Sequence, residues 1–484
     1  MFSSSSGIAT VGYINIRAKK TSNLFDALTL LSGRTDGCNA RRRIAAYERK
    51  GVNDMKIISA GDMLIQRRLP GAYDGFVPLR DFISQGDVRF FNLETTLHNG
   101  ECFGSQYNGG SWLRADPESL EDARAFGFNM LTFANNHAMD FSHAGLVKTL
   151  EACKRYGFPN SGCGRNLDEA AAPAYLDTLA GRVALISVTA SFNPAAMAGK
   201  QSRRVQGRPG VNGLRYHEKY YVSREELQQL DSIARKTDIN AFDDDERAYG
   251  YQPPLPEGVV AFGHTLRFEE GSPARRETFC EEADMARVER AIYEAKLQAE
   301  YILVSVHSHE LRGADIELPD HFLEQFCHAC IDMGAHAVLG HGPHLLRPIE
   351  IYKGKPILYS LGDFVMQNEN IPYAPEDFYE NYGMTSDDTL HALFRRRSND
   401  FTRGLQRDHR MLESVVALMT FDGDVLKELE LLPIELGFGL PMSAVGWPKP
   451  DPEATFLERF QRLCDHYGTQ LVSKEDGRVF VKLS

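Results

Sequence analysis

The sequence predicts an α/β fold in which short buried strands alternate with helices. Residues 337–339 and 356–361 are apolar runs that end at Gly340 and at Gly362-Asp363. Short, fully apolar strands that end at glycine are typical of a parallel sheet covered on both faces. Such sheets carry their chemistry at the carboxyl ends of the strands, so we expect the functional residues in the loops that follow.

The other predicted elements support this fold class. Strands are predicted over residues 55–60 (MKIISA), 87–92 (DVRFFN), 129–133, 183–188 and 301–306. Helices are predicted between or after them, over residues 120–126, 142–156, 281–299 and 319–333. This alternation indicates a layered α/β architecture. Toward the end of the chain, Asp422-Gly423 predicts a hairpin turn, and a helix and a strand follow it.

The domain organisation predicted from the sequence has three parts. Residues 1–54 form an N-terminal extension that is rich in Ser and Arg and resembles an organelle transit peptide in composition. The favoured interpretation is a translation start placed too early, because Met55 directly precedes the first strand. Residues 55–440 form the main domain, with insertions at about 190–275 and 366–410, and the first insertion is interpreted as a lid over the site. Residues 441–484 form a C-terminal extension.

Composition narrows the class of protein. With 484 residues, 43% of them hydrophobic and 25% charged, the chain is an ordinary globular protein with a large core. A net charge of -12 argues against nucleic acid as a partner, and no apolar run reaches the length of a transmembrane helix. The eight cysteines are scattered along the chain, which predicts reduced thiols and a cytoplasmic location.

Five predicted strand ends present side chains suited to metal or acid–base chemistry. They carry Asp62, Glu94, Asn136 with His137, His307 with His309, and His341 with His344. Each residue alone has an ordinary explanation, such as helix capping or a place in a surface loop. Together, carboxylates, an amide oxygen and imidazoles form a ligand set suited to one or two Zn, Mn or Fe ions. A two-ion site clamps attacking and leaving oxygens and generates hydroxide near neutral pH.

The motifs at these strand ends also have a family resemblance. They are Gly61-Asp62, Asn92-Leu93-Glu94, Asn135-Asn136-His137-x-x-Asp140, His307-x-x-Glu310, Gly340-His341-x-Pro343-His344 and Tyr359-Ser360-Leu361-Gly362-Asp363-Phe364. This set resembles the CapA family of poly-γ-glutamate capsule synthesis proteins, a branch of the calcineurin-like metallophosphoesterases. The resemblance implies a four-layer αββα sandwich. It also implies metal ligands at Asp62, Glu94, Asn136, His307, His341 and His344.

The resemblance also implies which residues are catalytic. At two positions, however, this sequence differs from the superfamily pattern. His137 is expected to act as the acid or to polarise the scissile group, and Asp140 and His309 complete the predicted catalytic set. Leu64 stands where the superfamily has a histidine ligand, a loss for which His309 could compensate. In addition, His341 and His344 are one residue further apart than in the usual Gly-His-x-His motif.

A stiff segment in the first insertion predicts a substrate contact. In Arg208-Pro209-Gly210-Val211-Asn212, proline fixes φ and glycine allows a tight turn, so Arg208 could be held at a defined position. A guanidinium suits bidentate recognition of a carboxylate or phosphate. The alternative is that Arg208 pairs with the acidic run at residues 243–246. Arg208 and Asn212 are the predicted substrate-binding residues.

The predicted function is a metal-dependent hydrolase of a phosphoester or a γ-glutamyl-type amide, linked to the synthesis of poly-γ-glutamate or a capsule-like polymer. The substrate is expected to be a small molecule, a peptide or an anionic polymer. Two alternatives remain open. One is a metal-independent acid–base enzyme acting on peptides, similar to peptide epimerases, with His137 and one of His307, His309 or His341 flanking the substrate. The other is a non-catalytic accessory of polymer synthesis.

Overall fold

Two large β-sheets form the centre of the protein. The computed structural model describes residues 54–70, 73–368, 371, 373–404, 407–441 and 443–483. The strands of the two sheets are β1 (Met55–Leu64), β2 (Val88–Leu93), β3 (Met130–Thr132), β4 (Asn160–Ser161), β5 (Ala174–Thr178), β6 (Gly181–Thr189), β7 (Tyr301–His307), β8 (Ala337–His341), β9 (Leu346–Tyr352), β10 (Lys355–Leu361), β11 (Asp363–Met366), β12 (Glu413–Asp422), β13 (Val425–Glu435), β14 (Lys449–Pro450), β15 (Leu471–Ser473) and β16 (Val479–Val481).

Helices cover the sheets and the insertions. They are α1 (Phe76–Ile83), α2 (Ser119–Phe126), α3 (Ser142–Arg155), α4 (Leu167–Ala171), α5 (Arg224–Thr237), α6 (Ala241–Ala248), α7 (Glu282–Lys296), α8 (His321–Met333), α9 (Glu376–Glu380), α10 (Leu390–Arg397) and α11 (Leu457–Asp465). No helix in the described part of the chain is long and apolar enough to cross a membrane.

The first sheet has the strand order β15-β16-β13-β12-β1-β2-β3-β4, with β11 beside β1 and β14 beside β13. Strands β1, β2, β3, β4 and β11 are parallel, whereas β12 is antiparallel to β1. The second sheet has the order β9-β10-β8-β7-β6-β5. Its four central strands are parallel and both edge strands are antiparallel.

Three hydrophobic clusters show that the sheets and helices form four layers. Between the sheets, Ile57 and Phe90 of the first sheet pack in one cluster with Leu303 and Leu339 of the second. The next residue of β1, Ile58, points the other way, because successive strand residues alternate between faces, and it packs among residues of α1, α2 and α3. Helices α7 and α8 cover the outer face of the second sheet. The predicted αββα sandwich is therefore confirmed.

The first insertion contains structure that the sequence pattern did not reveal. A four-stranded sheet forms from Tyr216–Val222, Val260–Phe262, Leu266–Glu270 and Arg275–Cys280. This small sheet packs on α8: the Tyr216 ring stacks on Phe322 with centroids 4.4 Å apart, and Arg276 pairs with Asp320 at 2.8 Å. The part of the insertion that lines the candidate site lies nearer its start, in residues 191–196.

The remaining predicted segments lie at the two ends of the chain and in the second insertion. Helices α9 and α10 of that insertion belong to a separate hydrophobic cluster that includes Leu64 of β1 and Trp112. The predicted C-terminal extension, residues 441–484, contributes β14, β15 and β16 to the first sheet and places α11 against β9. The prediction for residues 1–54 falls outside the described residues, apart from Asp54.

A close backbone contact between Gly61 and Gly362 fixes the ends of β1 and β10. A Cβ atom on Gly61 would lie 1.8 Å from the Gly362 carbonyl oxygen, and the Asp62 N–H donates to that oxygen at 3.1 Å. Gly362 has a φ of +76°, a conformation that glycine adopts without strain. This contact sets Asp62 in register with Asp363 on the neighbouring strand. Glycine at position 61 is therefore a requirement of the site as well as of the fold.

We predict that Gly61→Ala lowers the free energy of unfolding by about 2–3 kcal/mol, because the added methyl group forces two packed strands apart. Urea denaturation followed by circular dichroism measures the loss. Gly258→Ala is the control: its φ is +82° but its surroundings are open, so only backbone strain of about 1 kcal/mol is expected. An equal loss in the two variants would contradict the argument from close approach.

Candidate metal centre

The candidate site lies where strands of both sheets end at a common edge. In the first sheet, Asp62 is in register with Asn92 and with Asp363. In the second sheet, His307 is in register with His341. Because these strands are parallel within each sheet, their carboxyl ends meet, and the residues that follow them converge. The structure thus brings together the predicted ligands Asp62, Glu94, His307, His341 and His344.

Two groups of potential ligand atoms share one carboxylate. Ligand atoms of Asp62, Glu94, His344 and Asp363 all lie within 4.8 Å of one another. Ligand atoms of Glu94, His307 and His309 satisfy the same condition. Glu94 belongs to both groups, so its carboxylate lies between them, in the position of a bridging ligand. The arrangement fits one or two divalent ions.

Unsatisfied buried atoms provide the test of whether these residues suit a metal. Among the described residues, several buried side-chain atoms of this site have no hydrogen-bond partner: Oε1 and Oε2 of Glu94, Nδ1 and Nε2 of His341, Oδ1 of Asn136 and Oδ2 of Asp363. A buried polar atom without a partner is costly, and native proteins rarely keep one without a reason. Here oxygen and imidazole nitrogen atoms are concentrated at one point, as a divalent cation requires.

Burial shifts the protonation equilibria of these groups. Burial, reinforced by the nearby Asp363 carboxylate, raises the pKa of Asp62 to about 7. Burial also raises the pKa of Glu94 well above its usual range and lowers the pKa of His341 to about 3. Without a cation, burial therefore favours the protonated forms of Asp62 and Glu94 and the neutral form of the His341 ring. A bound divalent cation would stabilise the carboxylates in their charged form.

Hydrogen bonds orient the carboxylate of Asp62. The Asn92 amide donates to one oxygen of Asp62 at 2.7 Å, and the Gly342 N–H donates to the other at 2.9 Å. Asn92 is itself held by Asn135, whose amide donates to its Oδ1 at 3.0 Å. The side-chain amides and the backbone of both sheets thus position this carboxylate before any ligand binds.

His344 occupies a strained backbone position within the site. Its φ is 55°, in the left-handed region that residues other than glycine seldom adopt. Its Nδ1 lies 2.9 Å from Asp363 Oδ1, and its Nε2 lies 3.8 Å from Glu94 Oε1. Burial acts against protonation of this ring, but the Asp363 carboxylate outweighs it and raises the pKa of His344. Such strain persists where surrounding contacts impose it, as they do at this carboxylate cluster.

His137 and Asp140 form an oriented imidazole–carboxylate pair. His137 Nδ1 lies 2.6 Å from Asp140 Oδ2, and Asp140 accepts hydrogen bonds from the N–H groups of Gly109 (3.0 Å) and Leu113 (2.8 Å). The other ring nitrogen, Nε2, lies 4.0 Å from Glu94 Oε1. Asp140, a predicted catalytic residue, thus lies behind the His137 ring, where its carboxylate orients the imidazole.

His309 lies beside His307, with their Nε2 atoms 3.1 Å apart. The loop that carries His309 rests on Arg347, which is fully buried and donates to the carbonyl oxygens of Ser308 (3.2 Å) and His309 (3.4 Å). Leu64, at the position where the motif resemblance predicts a histidine ligand, is buried in a hydrophobic cluster. The His309 imidazole lies in the ligand group of Glu94 and His307.

A cavity of about 530 Å³ lies beside the centre. Asn136 and His309 line it on the side of the centre, together with Glu310. The Asn136 amide donates to the Gly109 carbonyl at 3.0 Å, which leaves its Oδ1 facing the site. A cavity of this size, with polar groups converging at one end, is typical of a small-molecule or chain-end binding site.

The two predicted substrate-binding residues, Arg208 and Asn212, are not among the residues that line the cavity. Asn212 is buried; its amide donates to the Ser187 carbonyl at 2.8 Å and its Oδ1 accepts from Arg287 at 2.8 Å. The structure therefore does not bring Asn212 to the cavity. Arg208 is exposed and donates to the Met197 carbonyl from Nε (3.2 Å) and Nη2 (3.0 Å). The alternative pairing of Arg208 with residues 243–246 is not found among the described ion pairs.

Sequence reasoning did not select Asp363 as a ligand, although the structure places it among them. The sequence pattern that identified Asp62 also occurs at Asp363, because Gly362-Asp363 directly follows an apolar strand as Gly61-Asp62 does. Asn92 was likewise recognised within a motif but given no role of its own.

Comparisons with known proteins agree with the motif resemblance. The family described as "Bacterial capsule synthesis protein PGA_cap" matches residues 56–368. A protein of Sinorhizobium fredii, described as uncharacterized, is 31% identical over 438 residues, covering 88% of this chain and 92% of its own. A "Probable polyglutamine synthesis accessory protein" of Mycobacterium tuberculosis is 26% identical, covering 59% of this chain and 57% of its own. The "PGA biosynthesis protein CapA" of Bacillus subtilis is 42% identical over 74 residues, or 15% of this chain and 19% of its own.

We predict that Mn²⁺ raises the melting temperature more at about pH 7.5 than at about pH 5.5. An acid whose pKa is raised on folding stabilises the native state at low pH. For Asp62 this stabilisation is lost as the pH rises from 3.8 to about 7, because the buried group must then carry its charge. A bound cation offsets that charge and gains affinity as the proton leaves.

Thermal melts with Mn²⁺ or EDTA at both pH values measure the difference. Glu94→Gln is the control, since removing the shared carboxylate should abolish the metal-dependent shift. Equal shifts at the two pH values would contradict the assignment of Asp62 and Glu94 as ligands.

Proposed function

Because this chain belongs to the CapA family of bacterial capsule synthesis proteins, we propose that it is a metal-dependent hydrolase acting on a phosphoester or a γ-glutamyl or peptide-type amide. The observation that carries the proposal is the convergence of unpaired, buried oxygen and nitrogen atoms at the end of both sheets. The residues that would hold one or two ions are Asp62, Glu94, Asn136, His307, His309, His341, His344 and Asp363. Divalent ions supply Lewis-acid polarisation of a phosphoryl or carbonyl oxygen.

The proposed role of His137 is to transfer a proton to the leaving group. Asp140 accepts the hydrogen bond from Nδ1, which fixes the tautomer and leaves Nε2 free toward the centre of the site. With Nδ1 hydrogen-bonded to Asp140, Nε2 is the ring atom that can accept a proton and pass it to the leaving group as the bond breaks. His137 is 4% exposed, so few waters compete for that proton.

The cavity beside the centre would bind the rest of the substrate. His309 and Asn136 lie on the boundary between the cavity and the ligand cluster, so each is able to contact the reacting group. Glu310 also lines the cavity, with its carboxylate accepting from Ser191 Oγ (2.9 Å) and Ser308 Oγ (2.7 Å). These bonds fix the loop that presents His309, because Ser191 Oγ in turn accepts from the His309 N–H at 2.7 Å.

We further propose that the reaction serves the synthesis or processing of poly-γ-glutamate or a capsule-like polymer. Support comes from the names of the family and of the Bacillus subtilis relative, which refer to capsule synthesis and PGA biosynthesis. The location of the protein stays a prediction.

A metal-independent acid–base reaction on a peptide is the second candidate. Two observations favour it: Leu64 stands at the position of a superfamily ligand, and the His137–Asp140 pair is complete without an ion. A non-catalytic accessory role is the third candidate, and it is supported by the name of the mycobacterial relative, which describes an accessory protein.

Glu94→Gln and His137→Asn should separate metal binding from proton transfer. Glu94→Gln is expected to lose both bound metal and hydrolytic activity, because it removes the carboxylate that both ligand groups share. His137→Asn should retain the metal while kcat falls by about 10²–10⁴-fold, the usual contribution of a general acid. Metal analysis of protein purified without chelator, with assays on phosphoesters and γ-glutamyl peptides, measures both effects.

The same assays discriminate between the candidates. Activity of Glu94→Gln in EDTA would overturn the metal-dependent proposal. Deuterium entering a peptide Cα from solvent, in EDTA and without bond cleavage, would establish the acid–base alternative instead. If His137→Asn restores the phenotype of a deletion strain as fully as the wild type does, the accessory role is the correct one.

A further inference from the structure

Residues 199–208 form an unpaired cationic surface on an acidic protein. The net charge is -12, yet residues 178–217 contain no Asp or Glu. Lys200, Arg203, Arg204 and Arg208 lie within this stretch and are exposed. In the described part of the chain, none of the four forms an ion pair. In a protein with this excess of acidic residues, exposed cations usually have acidic neighbours. These four cations have none nearby in the sequence.

The segment is an ordered hairpin, which we call the basic hairpin. At its base, the Gly199 N–H donates to the Arg208 carbonyl at 2.9 Å, and the Arg208 N–H donates back at 3.2 Å. At its tip, the Ser202 N–H donates to the Val205 carbonyl at 3.0 Å, and Ser202 Oγ accepts from the Arg204 and Val205 N–H groups. Arg203 and Arg204 therefore occupy the tip of a turn that is closed by defined hydrogen bonds.

The base of the basic hairpin is anchored to the main domain. The Leu167 N–H at the start of α4 donates to the Gly199 carbonyl at 3.1 Å. A Cβ atom on Gly207 would lie 2.5 Å from Asn166 Cβ and 2.7 Å from the Gly199 carbonyl oxygen. The hairpin is thus packed tightly at its base and projects its charged tip into solvent.

The basic hairpin continues directly from a wall of the cavity. Asn193, Ala195 and Ala196 line the cavity, and the next residue, Met197, accepts the hydrogen bonds of Arg208. Arg208 also influences another residue of the cavity lining: burial, together with the positive charge of Arg208, lowers the pKa of His143. The residues lining the cavity include no Lys or Arg. A negatively charged group in the cavity therefore meets no Lys or Arg in the lining itself, and Arg208 at the base of the hairpin is close enough to influence a lining residue.

We propose that Lys200, Arg203 and Arg204 determine specificity by binding carboxylate or phosphate groups of an extended anionic substrate whose reacting bond lies in the cavity. The inference rests on the proposed function and adds the chemical class and minimum length of the substrate. At about 3.3 Å per extended residue, the four residues from the base to the tip of the hairpin reach at most roughly 13 Å. A single small unit does not span that distance, so the hairpin would act on chains and leave short substrates unaffected. Arginine suits this role because its planar group binds either anion bidentately.

The test compares two variants that remove the same charge. Lys200→Gln, Arg203→Gln and Arg204→Gln are combined in the hairpin variant, and Arg208 is kept because it supports the hairpin base. The matched control combines Lys236→Gln, Arg290→Gln and Arg462→Gln, exposed residues on α5, α7 and α11 that do not line the cavity. Circular dichroism and metal content establish that both variants retain the fold and the centre.

Direct binding is measured first, by fluorescence anisotropy at low salt. The probes are a labelled γ-linked glutamate oligomer and an inorganic polyphosphate, each long enough to reach from the cavity to the tip, and a single-stranded RNA of equal length. We expect the hairpin variant to lose about tenfold in affinity for the carboxylate or the phosphate chain, because exposed ion contacts are individually modest and screened by salt. The control variant should bind both chains with the affinity of the wild type. The chain for which the hairpin variant loses affinity identifies the anionic group, carboxylate or phosphate.

Measurements of KM and kcat on long and short substrates then test the role of the hairpin separately from the proposed hydrolase activity. For a chain substrate, the hairpin variant should show a raised KM with unchanged kcat, whereas a short substrate should show neither change. If no substrate is hydrolysed by the wild type, the proposed function fails, while the binding comparison still decides the role of the hairpin. Unchanged binding of both anionic chains, RNA binding at least as tight as theirs, or an equal rise in KM for short and long substrates would overturn the inference.

Discussion

The complete burial of three carboxyl groups, those of Asp62, Glu94 and Asp363, is the constraint on which the site depends. Like charges at such short range repel strongly in an interior of low dielectric constant. No Lys or Arg pairs with them among the described residues; the neighbouring groups are imidazoles and hydrogen-bond donors such as Asn92 and the Gly342 N–H. A cation with two positive charges is the simplest partner for this arrangement, and the surrounding strand ends hold the carboxylates ready for one.

Much of the fold and the placement of most site residues could be predicted because they depend on local sequence pattern. An apolar run that ends at glycine and a polar residue marks both a buried strand and its carboxyl end, as at Gly61-Asp62 and Gly340-His341. Parallel pairing then brings those ends together without further information. The small sheet of residues 216–280 was not predicted, because its strands are mostly half-exposed and their buried and exposed residues alternate only weakly. Its position depends instead on tertiary packing, such as that of Tyr216 on Phe322.

Other features depend on contacts between distant parts of the chain. Asn212 has the residue type and the stiff surroundings of a binding residue, but Arg287, 75 positions away, takes its side-chain oxygen. The position of Asp363 beside Asp62 is a matter of register between β1 and β11, which a single sequence does not contain. The two ligand groups also differ in kind: one combines three carboxylates with His344, and the other combines Glu94 with two imidazoles. Oxygen-rich and nitrogen-rich sites prefer different metals, so the two positions need not hold the same ion.

The contribution of both sheets to one centre has a mechanical consequence. Asp62 and Gly342, which meet there, are 280 positions apart in the chain. An ion bound to residues of both sheets would cross-link these distant segments in the folded state, where its binding offsets the entropy lost on closing so long a loop. Apart from such an ion, the two sheets are joined at this edge by hydrogen bonds such as that from the Gly342 N–H to Asp62, and along their inner faces by non-directional hydrophobic contact. Chelation would therefore remove one directional link between the sheets and leave this edge of the sandwich as the place where proteolysis begins.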